Sequence, residues 1–517
     1  MVKTIEFLPK VRYIDRPAFR LLVSCVGGVI LFATRKVVWG SIVLGVFFIG
    51  LLIAAAILKR NMSTQVRLLN ISFMILLAVI FAWYSELKTA PSRSLTEGHT
   101  LYDTSVESIQ PIASSLESEY QFAAKVENNG YWYKVRLKVP REEMLPEDCH
   151  FGATLRGTLD LAGLTSIRNE NYRHYLLSEG FEAIGNIQEI TSIESSSHPS
   201  LKSKMSSIRY RLIQNLENVA SENNILNLEE RGLIYALTLG DRSHLPKKVK
   251  ESFSSSGVAH ILAVSGYHLG VIFMLLSLIL GRVLSHYSQR KIRYVLLIIG
   301  LLLYTFISGA STATMRALVM SVIAISAKLL DRESDPIQLL SLTLLFFFIS
   351  NPYSYLSIGL SLSIGAVWGI YLFLPIFQEY LKTKIKGLQY LTNIILVSIS
   401  AQLGIFPLLL FYFEKTTLSF IWSNIPLVIL SSILIPLALV VLLILPLTGT
   451  LPDFIFEILH FLTAGMIKTT EFFASISSEG LESNIDIPIL ILYYIFLILL
   501  YPLLHRRANQ HHINRLG

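Results

Sequence analysis

From Val258 to Leu504 the chain is a succession of apolar runs with only short polar loops between them. A helix needs about 20 apolar residues to cross the hydrocarbon core of a bilayer. Within that core every backbone polar group must be paired inside the protein, so this pattern leaves little besides a bundle of membrane helices. Composition agrees: 52% of the 517 residues are hydrophobic and 15% are charged, whereas soluble domains carry about 25% charged residues. The net charge of +8 suits a nucleic-acid partner, but it suits Lys and Arg gathered in cytoplasmic loops better.

The expected spans in this half are Val258–Val283, Ile292–Ser308, Ala313–Leu330, Pro336–Ser350, Tyr355–Phe377, Leu391–Phe413, Phe420–Leu447 and Ile487–Leu504. Leu451–Ser475 is apolar but carries Asp453, Glu457, Lys468 and Glu471, so it reads as an amphipathic or a buried helix. Three apolar runs precede them, at Pro17–Ala33, Val37–Leu58 and Leu68–Leu87. No small-residue cleavage site follows the first, which therefore reads as a retained helix. Basic residues before the first run and between the second and third place the N-terminus inside and send the third helix outward.

The polar region 88–200 would then lie outside the cytoplasm. Its clearest strand is Gly130–Val139, GYWYKVRLKV, which alternates strictly. Tyr131, Tyr133, Val135, Leu137 and Val139 face one way, and Trp132, Lys134, Arg136 and Lys138 the other. Further strands are expected at 121–127, 152–160 and 182–190, with a short helix within 169–185. Short strands with turn signals suggest a small β-barrel of the OB type. OB-folds hold single strands by stacking bases on aromatics beside basic residues, so the Trp132, Lys134, Arg136, Lys138 face is a candidate DNA contact. The region as a whole opposes this, with 10 Lys and Arg against 16 Asp and Glu, net −6. A solvated strand face is the simpler alternative. Residues 201–238 have helical periodicity with interspersed charge and read as an amphipathic connector, either at the membrane interface or packed on the β-domain.

Two apolar runs are interrupted by polar groups. The stretch from Ala236 to Ile272 holds Asp241 and Arg242, then His260, Ser265, Gly266 and His268. Polar side chains at membrane depth are costly and face a bundle interior or a wet path. Ser265 and Gly266 weaken a helix, so a broken helix is expected. On a straight helix His260 and His268 would stand about 12 Å apart and could not share a metal, so no metal site is expected. They line a path or fix packing by hydrogen bonds. The second run is ISGASTATMRALVM, where Ser308, Thr312 and Arg316 recur every four residues on one expected helix face. A cation there calls for an acidic partner such as Asp241, or for an anionic substrate.

The run LGDRSHLPKKVKESFSSSGVAHILAVSGYHLG resembles the signature of the ComEC competence family, inner-membrane channels for incoming single-stranded DNA. The family shows an LGD element, a polar linker and H-[LI]-L-A-[IV]-S-G-x-H. Gly240, Asp241, His260, Leu262, Ala263, Ser265, Gly266 and His268 fit that pattern. Tyr172, Tyr175, Leu176, Gly180 and Ala183 are similar to a further family element, with Asn171 and Phe181 departing from it. Gly309, Ala310, Arg316 and Ala317 resemble another, with Ala313 where Ser is usual. Asn351-Pro352 and Gly359 through Ser363 resemble a later one, with Leu360 where Phe is usual. The likeness runs over residues 90–450.

The resemblance implies an α-helical polytopic membrane protein with one extracytoplasmic OB-like β-barrel domain inserted after the third helix. Residues 1–87 would hold about three helices, 88–200 the β-domain, 201–256 the connector, 257–504 a competence-type domain of eight or nine helices, and 505–517 a basic tail. It implies single-stranded DNA as cargo, membrane lipid as surroundings, a separate DNA receptor, a separate cytoplasmic helicase-type motor, and a homo-oligomer as one possible state. The path would run by Asp241, Arg242, His260, Ser265, Gly266, His268, Thr312 and Arg316. Many family members carry a zinc-nuclease motif H-x-H-x-D-H; no His-x-His occurs in this sequence, nor a phosphate-binding G-x-x-x-x-G-K-[ST] loop. We therefore expect no cofactor and neither nuclease nor ATPase activity in this chain. Two other readings stay open: transport of a different anionic solute, and an intramembrane hydrolase using Ser265 and His268.

Overall fold

A computed structural model describes residues 17–34, 41, 43–44, 49, 62–93, 100–106, 110–112, 119–128, 131–140, 153–195, 201–223, 226–286, 289–332, 335–381, 386–413, 415–416, 419–476, 481–482 and 485–516. The expected second span, Val37–Leu58, lies almost wholly outside the described residues. Contacts divide the chain into two compact units, residues 11–199 with 326–357, and residues 1–10 with 200–325 and 358–517.

The first of these units opens with α1, Pro17–Ala33, packed against α2, Met62–Arg93. The helices meet closely because Gly28 has no side chain: a Cβ there would stand 2.6 Å from the Ala78 carbonyl oxygen. The β-domain follows, with strands β1 (Thr100–Val106), β2 (Gln110–Ile112), β3 (Glu119–Asn128), β4 (Tyr131–Pro140) and β5 (Ala153–Gly163), then α3 (Glu170–Ser178) and β6 (Ala183–Ser195). All four expected strands are present, three of them longer than expected and β4 shifted by one residue; β1 and β2 carried no comparable pattern. The six strands run in the order β1-β5-β6-β4-β3-β2, antiparallel except that β4 and β6 are parallel. The expected barrel is not closed. β1 and β3 are bridged only at Val106 and Val126, a single pair where a full ladder would be needed. Tyr133, Val135 and Leu137 are buried, as alternation requires.

The same unit includes the helix Pro336–Ser350 (α10 in chain order) and the Asn351 corner after it. These tie membrane helix to β-domain. Asn351 Nδ2 donates to the Leu177 and Ser178 carbonyls at 2.8 and 3.0 Å, satisfying the C-terminal acceptors of α3. Its Oδ1 accepts from Tyr353 N at 3.0 Å. Lys88 Nζ donates to the Ile349 and Ser350 carbonyls, both at 2.7 Å.

In the other unit α4 (Leu201–Asn223) and α5 (Leu228–Leu239) replace the single expected connector. Helix α4 keeps one exposed face, through Lys204, Arg211, Gln214 and Asn218. Leu212, Ile213, Leu216 and Ala220 of α4 are buried in one core with membrane helices, and α5 is buried along most of its length from Gly232 to Leu239. Glu217 pins the pair, pairing with Arg231 at 2.8 Å and accepting from the Tyr235 hydroxyl at 3.0 Å. Next come α6 (Lys247–Ser255), α7 (Gly266–Val283), α8 (Arg290–Ile307), α9 (Thr312–Leu329), α10 (Pro336–Ser350), α11 (Ile358–Tyr380), α12 (Lys386–Phe413), α13 (Phe420–Thr448), α14 (Asp453–Ile476) and α15 (Ile487–Leu516).

Seven described helices are long and apolar enough to cross a membrane: α2, α7, α9, α11, α12, α13 and α15. Two further apolar helices, α1 and α10, are shorter than that. The most apolar helix, α13, contacts α4, α5, α7, α12 and α14, which places it at the centre of this unit. Helices α11 and α12 cross through small residues, as lipid-embedded pairs do: Gly404 has no room for a Cβ against the Gly365 carbonyl, nor Gly369 against that of Ser400. Pro407 cannot donate to the Leu403 carbonyl one turn earlier. The Tyr493 hydroxyl of α15 donates to it instead, at 2.9 Å, and Tyr494 donates to Gly404 O at 2.8 Å.

Candidate anion path

The sequence leads one to expect a break in the middle of a helix at Ser265. The structure has a helix start instead. Ser265 is the N-cap of α7, extended at φ −133°, and the preceding residues form a short 3-10 turn at Ala259–Ile261. A capping box closes the end: the His268 backbone N–H points to the Ser265 side chain, and Ser265 N donates to His268 Nδ1 at 3.3 Å. Because Nδ1 accepts from a backbone N–H, the proton of a neutral imidazole sits on Nε2. Nε2 is buried and has no partner among the described residues. His268 is fully buried, while His260 is exposed on its 3-10 turn and lies within electrostatic reach of His268.

A second helix start lies against the first. Helix α9 begins at Thr312, and its first turn is capped by Ser311, whose hydroxyl accepts from Thr314 N at 3.2 Å. Thr314 Oγ1 donates to the Val264 carbonyl at 3.2 Å, and Gly266 faces the Ala317 methyl group. Ser308 does not share the face of Thr312 and Arg316, contrary to expectation. It ends α8, with its hydroxyl on the Thr305 carbonyl, and Gly309 (φ 88°) and Ala310 (φ 49°) turn the chain before α9 begins. A left-handed residue breaks the four-residue repeat, which assumes one continuous helix.

The LGD element closes the third side. Gly240 caps α5 at φ 71°, and a Cβ there would stand 2.5 Å from the Ser308 carbonyl oxygen. Asp241 Oδ1 accepts from Ser243 N at 2.9 Å and from the Ser243 hydroxyl, which fixes its carboxylate in a turn. Arg242 Nε donates to the Leu262 carbonyl at 3.0 Å. Three sequence blocks separated by tens of residues thus meet through backbone contacts. Arg242 is half-buried, Arg316 is buried in α9 one turn beyond Thr312, and both helix starts carry the positive end of a helix dipole.

Sequence reasoning missed two members. Arg209 of α4 reaches the same loops, with Nη1 3.5 Å from the Leu239 carbonyl and 2.6 Å from where a Cβ of Gly309 would be. Asp241 lies within its electrostatic reach; burial works to lower the Arg209 pKa and Asp241 to raise it. No local motif marks Arg209, which reads as one more cation on an amphipathic helix. Thr314 was also passed over, as one of several hydroxyls in its run.

The β-domain residues behave differently. Lys134 is folded back: its ammonium donates to the Glu179 carbonyl and lies 4.5 Å from the Phe181 ring centroid. Burial lowers its pKa, with Glu179 and Glu182 opposing. Arg136 stands 5.7 Å from both the Tyr172 and Tyr175 ring centroids. Lys138 follows on the same face, half-buried, and Trp132 is on the strand with its side chain outside the described residues. Helix α3 and the turn after it occupy the face where Lys134 and Arg136 stand.

Seven described helices of membrane-crossing length fit a multi-pass membrane protein. A family model described as Competence protein matches residues 237–507, which takes in the LGD loop, both helix starts and Arg316. The chain belongs to the Competence protein family. It is similar to ComE operon protein 3 of Bacillus subtilis, 28% identical over 285 residues, covering 55% of this chain and 34% of that protein. It is also similar to Recombination protein 2 of Haemophilus influenzae, 27% identical over 278 residues, covering 52% of this chain and 33% of the relative. The matches thus span about a third of each of these relatives. No solved structure matches the chain.

Proposed function

We propose that this protein passes single-stranded DNA across the bacterial inner membrane during natural transformation. The observation that carries the reading is the meeting of two helix starts with the loops that Arg242 and Arg209 contact, Arg316 lying in the first turns of α9. Unsatisfied N–H groups and the helix dipole favour negative charge at such ends, and broken membrane helices use them on anionic substrates. A phosphodiester strand carries one such charge per nucleotide. Tight steric limits at Gly240 and Gly309 keep the loops in place, and His268 holds a buried Nε2–H without a partner among the described residues behind them.

The β-domain, on this reading, is an OB-like module outside the cytoplasm that receives or orients the strand. Its strand order and its parallel β4–β6 pair support that assignment. A separate receptor would deliver DNA and a separate cytoplasmic helicase-type motor would draw it in, with no nuclease or ATPase step in this chain. Self-association is compatible with this arrangement. The acidic β-domain, net −6, favours a second reading, in which the same cationic path carries a different anionic solute.

Deletion of the gene, with labelled donor DNA and complementation by His268→Ala and Arg316→Ala, tests the proposal. Loss of transformation while DNA still reaches the cell surface, with both variants expressed and inactive, supports it. Normal transformation by the deletion strain rejects DNA and turns the search to solutes.

A further inference from the structure

The half-buried guanidinium of Arg209 is poorly provided for. It has five N–H donors, yet its one hydrogen bond among the described residues is the 3.5 Å contact to the Leu239 carbonyl. Asp241 acts on it through space, but no direct ion pair joins them among the described residues, since the Asp241 carboxylate is engaged by Ser243. A partly desolvated cation gains from a hydrogen-bonded anionic partner. The chain builds a place for it. Gly309 lacks a side chain where Arg209 Nη1 stands, and Gly309 and Ala310 hold two consecutive positive φ angles beside it. Among the described residues, most of its donors are thus left open to a ligand at the Gly309 turn.

We propose that Arg209 contacts a phosphodiester of the translocating strand, at the junction of the LGD loop and the Gly309 turn. This rests on the DNA reading above and adds a residue that no motif contains. Guanidinium matches phosphate geometry through two parallel N–H···O bonds. Asp241 stands close enough to favour the charged guanidinium without occupying its donors, so a phosphate can engage and leave without leaving the cation wholly uncompensated.

The purified full-length protein in zwitterionic detergent would be titrated with fluorescein-labelled oligothymidylate across a salt series. Each phosphate contact on a single strand contributes about 0.7 to the slope of log affinity against log salt. Arg209→Gln should weaken binding and reduce that slope by about 0.7 while the size-exclusion profile stays that of the wild type. An unchanged slope in the folded variant overturns the assignment. A second measurement needs no variant: phenylglyoxal modification of Arg209, read by mass spectrometry, should be slowed by the oligonucleotide. Equal modification with and without it overturns the proposal, as does equal protection by phosphatidylglycerol alone, which would assign Arg209 to a lipid head group. If the wild type binds no oligothymidylate, the DNA reading itself fails and takes this inference with it; binding with an unchanged slope removes Arg209 alone.

Discussion

The Thr314 hydroxyl donates to the Val264 carbonyl at 3.2 Å, joining the first turn of α9 to the loop that leads into α7. One hydrogen bond thus ties together two sequence blocks fifty residues apart, each of which resembles a family element. Its acceptor lies in the irregular segment just before a helix, where a backbone carbonyl has no intrahelical partner.

Thr314→Val should leave that carbonyl unpaired at a cost of about 1–3 kcal/mol. We expect transformation to fall at normal expression, and Thr314→Ser to restore it. Activity of the valine variant equal to wild type would mean that the two loops are held by packing alone.

His268 has two duties that one substitution separates. Gln at the third helical position can accept from the Ser265 N–H as a capping-box residue does, but it cannot place a donor where Nε2 stands. His268→Gln should therefore melt close to wild type and fail in transformation, whereas His268→Ala should also lose about 1 kcal/mol of capping. A transforming Gln variant would reduce His268 to its capping role.

Gly404 and Gly270 form a matched test of packing. A methyl group at Gly404 meets the Gly365 carbonyl, whereas one at Gly270 meets nothing within 4 Å. Gly404→Ala should lower the yield of folded protein in detergent and its melting temperature; Gly270→Ala should do neither. Equal yields would show that α11 and α12 can separate without loss.

Asn351 satisfies the end of α3 and should act as a tether for it. Asn351→Ala should raise amide hydrogen exchange in Leu177–Phe181 while leaving β5 and β6 protected. Unchanged exchange there would mean that the corner is held by other contacts.

Glu182 gives the β-domain a pH dependence of defined sign. Burial raises its carboxyl pKa above 4.5, against the opposing hydrogen bond from Lys134 N, 3.1 Å away, and the Lys134 charge. A raised folded-state value means that the unfolded chain releases its proton first as pH rises. Stability from this group is therefore full below 4.5 and declines above it until the folded carboxyl has ionised. Exchange protection in β4 should fall across that window in the wild type and stay flatter in Glu182→Gln. Identical profiles would remove Glu182 as the cause.

Much of this fold is legible in the residue pattern because its causes are local. Pro17–Ala33 and Pro336–Ser350 have the predicted bounds, since polar or turn residues at each end of an apolar run set where the helix starts and stops. The alternation of Tyr131 to Val139 assigns β4 and its buried face for the same reason. The motif blocks, too, marked residues that the structure gathers around the α7 and α9 starts. What the sequence could not determine depends on contacts between distant segments. Whether Ser265 breaks a helix or begins one depends on His268 folding back onto its N–H, and Ser308 leaves the Arg316 face only because Gly309 and Ala310 turn left-handed. Helix α4 looks interfacial by its charges, yet packs into the core because α8 and α13 cover its apolar side. The clearest case is Arg209: its charge was visible from the start, but its place beside Gly309 and Asp241 exists only once helices distant in sequence have packed together.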